Sequence, residues 1–540
     1  MWTDQWTGKT IGAALSEAAR RYGERVAMVF EDGPVSFSDL HKTSGLVARA
    51  FLNLGVKRGD TVAIWMAGYV EWAYLYYGLA RIGAVMVPVN TRFKPEEVEY
   101  ILNKSRARLL VFKDEPQRKD YLAVLNELCP EIGAGLGTGA VSRLPNLQEL
   151  VAVSNRQLPG CVSFSEFLAA ASTVPEEKLV EAERRVKSED TALLQFTSGT
   201  TAMPKGAMLY HMAMLRGAYY CSQPLRLSEE DRFFSPQPFF HAGGSIQVML
   251  APVVTGCTMI VQAYFDPAEA LRLMEEYRCS TTMGHQPHYI EYLNHPDLKK
   301  RRLKLEKGMI FASPDVNRRV YEELGIRFLI SPYGLTETHL SGTSCRMDDN
   351  LEKRLATVGR THPGVELGIR APDGPEFLSR GEKGEVCIHG WGIMKGYFDD
   401  PVKTEAVLDR DGWLRTGDLG AIDSDGYLQL IGRIKDMIRV GGENVAAADV
   451  EAFLLRHEKV KQAVAVGAPD SRLGEVCVAF IELKRDAEAT QADIIRYCQA
   501  GLASFKVPRQ VRFVREWPMS GTGKIQRFLL KESLAANTDR

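Results

Sequence analysis

The sequence predicts an α/β protein: a large multi-layer N-terminal α/β domain over about residues 1–432, and a small C-terminal α+β domain over about 437–540. Three observations predict this. A chain of 540 residues exceeds what one hydrophobic core normally supports, so it should divide. Over the first quarter, short apolar runs alternate with helical periodicities, the pattern of a largely parallel sheet covered on both faces. The last hundred or so residues then carry a second, shorter set of strands around a capped helix.

The elements follow in order. Ser38 can cap a helix in which Val47, Ala50, Phe51 and Leu54 fall at i, i+3, i+4 and i+7, ending near Gly55. Thr61–Met66 reads as a buried strand, about Glu71–Arg81 as a helix and Val85–Val89 as a strand. Pro95 suits the first helical position before Glu96–Asn103, and Leu109–Phe112 is a strand again. Between Pro130 and Gly160 the alternation breaks. Gly135–Ala140 spells G-x-G-x-x-A, yet no strand precedes it and Pro145 stops a following helix, so it reads as an insertion rather than a dinucleotide site. Ala192–Phe196 and Phe328–Ile330 are apolar strands. At the C-terminal end, Ala463–Val466, Val476–Leu483 and Val511–Val514 read as strands, and Thr490-Gln491-Ala492-Asp493 as a capping box opening a helix.

Composition excludes several classes of function. Hydrophobic residues make up 45% and charged residues 25%, as in ordinary globular proteins. A net charge of −1 gives no electrostatic basis for binding nucleic acid or a strongly anionic membrane. The nine cysteines include no C-x-x-C pair, which argues against zinc and against a disulfide framework. No run of 18 apolar residues exists and the first residues lack an apolar leader, so a cytoplasmic enzyme is expected.

The most informative stretch is Thr197-Ser198-Gly199-Thr200-Thr201-Ala202-Met203-Pro204-Lys205-Gly206, directly after an apolar strand. Small residues let backbone N–H groups approach an anion, hydroxyls donate to it, and Lys205 adds a point charge. Polyphosphate suits such a loop, although the spacing is not that of a Walker A loop. Further on, Tyr333-Gly334-Leu335-Thr336-Glu337 follows the strand at Phe328–Ile330, and Asp418 closes the string Trp413–Asp418. A carboxylate at a turn can accept two ribose hydroxyls, and Mg²⁺ takes a carboxylate together with substrate phosphates.

Taken together, these strings resemble the adenylate-forming acyl-CoA synthetases, relatives of firefly luciferase and of peptide-synthetase adenylation domains. The resemblance covers nearly the whole chain in order. It departs at Ala202, where the usual loop has glycine, and Gly384-Glu385-Val386 with Gly396-Tyr397 reads only as a structural sheet segment. It implies ATP binding by Thr197, Ser198, Gly199, Thr200, Thr201 and Lys205, and an adenine contact at Ala312-Ser313-Pro314. Tyr333 would cover adenine, with Gly334 beside it in the cofactor-binding set, Thr336 would lie near the α-phosphate, and Glu337 with Thr200 would hold Mg²⁺. Asp418 would take the ribose, and Arg433 the ribose or a phosphate. Gly441, Gly442 and Glu443 belong to the same implied cofactor set.

The resemblance also implies a hinge at 433–436 centred on Lys435, and makes the C-terminal domain a mobile lid carrying Lys524 as the adenylation lysine. The implied catalytic set is Lys524, Thr336, Glu337, His241 and Lys205. The reaction would join a carboxylic acid to coenzyme A through acyl-AMP, releasing pyrophosphate and then AMP. Partners are the acid, ATP and CoA, with a homodimer as an admissible assembly. Alternatives are a ligase for longer fatty acids, an enzyme loading an acyl-carrier protein, and a non-catalytic nucleotide-binding module.

For the acid, the resemblance places Phe240-His241 and the string Met283–Tyr289 beside the acyl pocket, which with His339 would be compact, with aromatic walls and polar tips at His285, Gln286, His288 and His339. The competing arrangement turns His285, Gln286 and His288 to solvent at the start of a helix.

Overall fold

A computed structural model describes residues 3–130, 143–197, 203–371, 374–441, 443–519 and 525–535. The G-x-G-x-x-A string lies outside the described residues.

The described residues build two seven-stranded sheets. The first runs Val162–Ser163, Glu149–Val153, Leu109–Lys113, Thr61–Trp65, Val85–Pro88, Thr191–Thr197, Lys205–Tyr210. Its neighbours are parallel until the final pair, which is antiparallel. The second runs Phe328–Ile330, Lys307–Phe311, Thr281–His285, Arg232–Ser235, Thr258–Val261, Val26–Phe30, Gly33–Ser36, and only its last pair is antiparallel.

Side-chain alternation along the strands explains the layering. Val62 and Ile64 face the helices Ile11–Tyr22, Phe37–Asn53 and Val70–Ile82, which fill the space between the sheets. Ala63 and Trp65 point the other way, into a core shared with Leu110, Phe112 and the helix Pro95–Lys104. The second sheet repeats the device, with Met28 in the shared core and Val29, Phe234 and Ile310 on its far face. Every residue of Thr61–Trp65 is buried, as expected of a central parallel strand. The multi-layer α/β expectation holds.

Two local expectations are corrected. The helix after the first hairpin is capped by Ser36, whose hydroxyl accepts from Asp39 N at 3.0 Å, and not by Ser38. Phe37 is fully buried and becomes the first helical residue. The alternation does not break over the whole of Pro130 to Gly160, because Glu149–Val153 is a strand of the first sheet, parallel to Leu109–Lys113.

A four-stranded antiparallel sheet follows, ordered Val365–Arg370, Gly384–Gly390, Leu414–Ile422, Leu428–Arg433. The short turn Ile434–Asp436 then leads to the C-terminal sheet, in which Val460–Asp470 and Gly474–Leu483 form a long hairpin. The helices Ala447–Leu455 and Gln491–Gly501 cover one face of that sheet, and Arg527–Ala535 covers the other. Thr490 and Asp493 cap each other's backbone N–H at 3.2 and 3.0 Å, as the sequence predicts. Ion pairs Arg456–Asp315 (3.1 Å) and Lys461–Glu291 (2.9 Å) join this domain to helices of the second sheet.

Among the described residues no helix is long and apolar enough to cross a membrane.

Candidate active site

The motif-bearing loops after Thr191–Thr197, Arg232–Ser235, Thr281–His285, Lys307–Phe311 and Phe328–Ile330 all leave the C-terminal ends of parallel strands. Open α/β sheets bind ligands at that edge.

Tyr333 comes three residues after Phe328–Ile330 and forms a backbone bridge with Thr343. Its hydroxyl donates to Asp418 Oδ2 at 2.7 Å. Burial, and then the Asp418 charge, pushes the phenol above its usual range, so it stays protonated as a donor. Asp418 lies opposite Arg433 across the antiparallel sheet, and Arg433 Nε pairs with Asp418 Oδ1 at 3.0 Å. A cleft of about 230 Å³ opens here, lined by Asp418, Leu430, Gly432, Arg433, Met437 and Arg527. Three strings separated in sequence thus converge on one buried carboxylate beside a cleft. Lys435, in the turn just beyond, has its pKa lowered by burial.

A second cluster lies on the edge strand Lys205–Tyr210. The segment Met394–Phe398 runs along it, with Met208 N donating to Gly396 O (3.0 Å) and Phe398 N to Gly206 O (2.8 Å). This docking brings Tyr397 between two motifs. The Lys205 ammonium sits 5.1 Å from the centre of the Tyr397 ring, and Tyr397 Oη donates to Glu337 Oε1 at 2.9 Å. Met394 N also donates to Glu337 O at 2.8 Å, fixing the turn Thr336–Thr338. Burial and the Glu337 carboxylate push the Tyr397 phenol well up. The sequence reading took Gly396-Tyr397 as a structural string. Tyr397 instead bridges Lys205 and Glu337, and only its aromatic type hinted at this.

Thr197 pairs with Lys205 across the hairpin. Ser198, Gly199, Thr200 and Thr201 lie outside the described residues, as do Gly442 and Lys524. Gly441 and Glu443 are exposed on the hairpin joining Met437–Val440 to Glu443–Ala446.

The expected acid-pocket residues divide. His241 is half-buried and its Nδ1 accepts from Gly243 N at 3.3 Å. Its ring centre is 6.2 Å from that of His285, which lies 5.0 Å from Phe311. His339 is not a pocket tip. It is fully buried, with Nδ1 donating to Gly392 O (2.6 Å) and Nε2 accepting from Tyr210 N (3.1 Å), and burial lowers its pKa to about 4.

His288 and Gln286 match neither arrangement considered for them. His288 is buried and its Nδ1 accepts from His285 N at 3.1 Å, capping its own helix. Gln286 Oε1 accepts from Ser313 N at 3.0 Å, which ties the Ala312-Ser313-Pro314 loop to that helix, and Pro314 starts the helix Pro314–Glu323.

Comparison with known families decides what these clusters belong to. The family model described as AMP-binding enzyme matches residues 15–398, and that of the AMP-binding enzyme C-terminal domain matches 449–524. The chain belongs to the AMP-binding enzyme family. The Bacillus subtilis (strain 168) protein YngI is 34% identical over 530 residues, covering 97% of this chain and 96% of its own. The Danio rerio protein named medium-chain acyl-CoA ligase ACSF2, mitochondrial, is 34% identical over 534 residues, covering 97% and 88%. Among solved structures, an anthranilate CoA ligase, AuaEII, in complex with anthranoyl-AMP has a TM-score of 0.85 at 25% identity, with 98% of each chain covered. For this AMP-binding enzyme the expectation of an AMP-forming acyl-CoA ligase stands.

Proposed function

We propose that the protein activates a compact ring or medium-length carboxylic acid with ATP, forming acyl-AMP and pyrophosphate, and then transfers the acyl group to coenzyme A with release of AMP. The observation that carries this reading is the pair of clusters Tyr333–Asp418–Arg433, beside a cleft, and Lys205–Tyr397–Glu337, at the strand Lys205–Tyr210.

In this reading Asp418 accepts the ribose hydroxyls with Arg433 alongside, Tyr333 covers adenine, and the Ala312–Pro314 loop contacts its edge. Thr197 to Thr201 and Lys205 hold the phosphates, and Thr336 lies near the α-phosphate. Lys524 enters from the C-terminal domain, moving about the turn Ile434–Asp436, to meet the charge that develops on adenylation. Both half-reactions spread negative charge over phosphoryl or carbonyl oxygens, so positioned donors and cations supply most of the rate.

Mg²⁺ fits the residues present. Glu337 spends one oxygen on a neutral phenol, leaving its other oxygen for a hard cation shared with phosphates. When bound, Mg²⁺ would neutralise phosphate charge.

Phe240, His241, His285 and Phe311 would wall the acid pocket, and the ring and medium-chain acids in the names of the relatives accord with that size. The test is ATP–pyrophosphate exchange over aliphatic, alicyclic and aromatic acids, followed by acyl-CoA formation with the best of them. Exchange restricted to palmitate and longer acids would refute the compact pocket, and no exchange with any acid would refute the ligase.

A further inference from the structure

Gln237 stands in the turn between the strand Arg232–Ser235 and the helical turn Gly243–Val248, and is 3% exposed. Neither its carboxamide oxygen nor its nitrogen has a hydrogen-bond partner in the protein. Buried polar groups are nearly always paired, and each one left unpaired costs about 1–3 kcal/mol.

The surrounding turn is otherwise well satisfied. Gln195 Nε2 donates to Phe240 O (2.8 Å), Ser245 Oγ donates to Gln195 Oε1 (3.2 Å), and Gln237 N donates to Ser235 Oγ (3.3 Å). A loosely built loop therefore does not explain the orphaned amide. Its place is also reserved: a Cβ on Gly243 would lie 3.0 Å from Gln237 Oε1, so the glycine makes room for the carboxamide. The same Gly243 donates its N–H to His241. His285 ends the strand that pairs directly with Arg232–Ser235. Gln237 thus shares its turn with His241 and follows the strand that pairs with the one ending in His285, two residues assigned to the acid pocket.

We infer that Gln237 is a specificity-determining residue whose carboxamide receives a hydrogen-bonding group carried by the acid beyond its carboxylate. This rests on the ligase reading above. A carboxamide both donates and accepts, and a hydroxyl answers both needs, so the substrate class is a hydroxylated or similarly polar-substituted acid. An unsubstituted acid would leave the amide unpaired, and sites built around a hydrogen bond discriminate strongly against the analogue that lacks it.

The experiment measures ATP–pyrophosphate exchange by the full-length protein on matched acids: hexanoate with 6-hydroxyhexanoate, octanoate with 8-hydroxyoctanoate, and benzoate with 3- and 4-hydroxybenzoate. The native protein should favour the hydroxylated member of at least one pair by about tenfold or more in kcat/KM. Gln237→Leu and Gln237→Met should each lower that ratio by about 10- to 100-fold. Methionine is unbranched and of equal length, so Gln237→Met carries the comparison if the leucine variant fails to fold. A native ratio at or below one in every pair overturns the inference. So does a ratio that the variants leave unchanged, the result expected if a fixed water satisfies the amide. Absence of exchange with every acid overturns the ligase reading itself.

Discussion

Tyr397 separates two jobs that one side chain performs, since its ring meets Lys205 and its hydroxyl meets Glu337. Tyr397→Phe keeps the first and removes the second. A hydrogen bond to a charged group is worth about 1.5–3 kcal/mol, so kcat/KM for ATP in pyrophosphate exchange should fall about 10- to 100-fold. The Mg²⁺ concentration at half-maximal rate should rise with it. An unchanged Mg²⁺ dependence would mean that Tyr397 does not orient the carboxylate proposed here to hold the metal. Lys524→Ala should cut adenylation by about 10²–10³-fold while sparing thioester formation from supplied acyl-AMP, and equal loss in both halves would refute a role confined to one. At this scale the motifs were legible because each puts several special residues side by side. Tyr397 was not legible as a partner of Glu337, because sixty residues separate them and only the docking of Met394–Phe398 brings them together. His339 misled for the opposite reason: a histidine beside an active-site motif looks functional until both its nitrogens are found committed to backbone.

Packing between elements carries the turn that holds Glu337. The helix His211–Ser222 approaches His339 so closely that a Cβ on Gly217 would fall 2.1 Å from His339 O, a backbone atom unable to give way cheaply. Gly217→Ala should therefore destabilise the protein by about 1–3 kcal/mol and lower exchange activity as well, because His339 directly follows Thr336–Thr338. A lowered urea midpoint with intact kcat/KM would show that the turn recovers its position. The turn Ile434–Asp436 connects two sheets that each have their own core. Lys435→Pro would fix φ there and remove a donor, so thioester formation should fall much more than pyrophosphate exchange. Equal losses would exclude a selective hinge at Lys435. Helices and buried strands were readable from periodicity and caps. Ser36 was missed because Ser-Phe-Ser offers two candidate caps, and burial of Phe37 chooses between them. The strand Glu149–Val153 was missed because its apolar run is short and flanked by glycine and proline, so only pairing with Leu109–Lys113 identifies it.

At the scale of the molecule, the layered α/β architecture was legible because alternate residues of single strands must enter different cores, as Val62 and Ala63 do. What the sequence could not convey was how many histidines those cores enclose. Among the described residues His211, His288, His339 and His362 are buried, and burial lowers the pKa of each to about 4. His211 accepts from Ile11 N at 3.3 Å, so, like His288 and His339, it uses a ring nitrogen as an acceptor and must stay neutral. In the unfolded chain these rings titrate near about 6.5. Between that value and about 4 the unfolded state binds protons that the folded state refuses, so stability rises with pH across this window. The contribution is complete above about pH 6.5 and is lost as pH falls toward 4, by up to about 1.4 kcal/mol per pH unit for each ring. Glu149, raised by burial, opposes this with a single proton. Asp114, held low chiefly by its hydrogen bond from Arg156, acts only at more acidic pH. The urea midpoint should accordingly drop steeply between pH 6.5 and 4.5, and the slope of unfolding free energy against pH should report several protons taken up. His339→Asn should be less stable at pH 7.5 and should lose about one proton from that slope. A midpoint that stays flat, or rises, as pH falls from 6.5 to 4.5 would contradict the neutral, enclosed state of these rings.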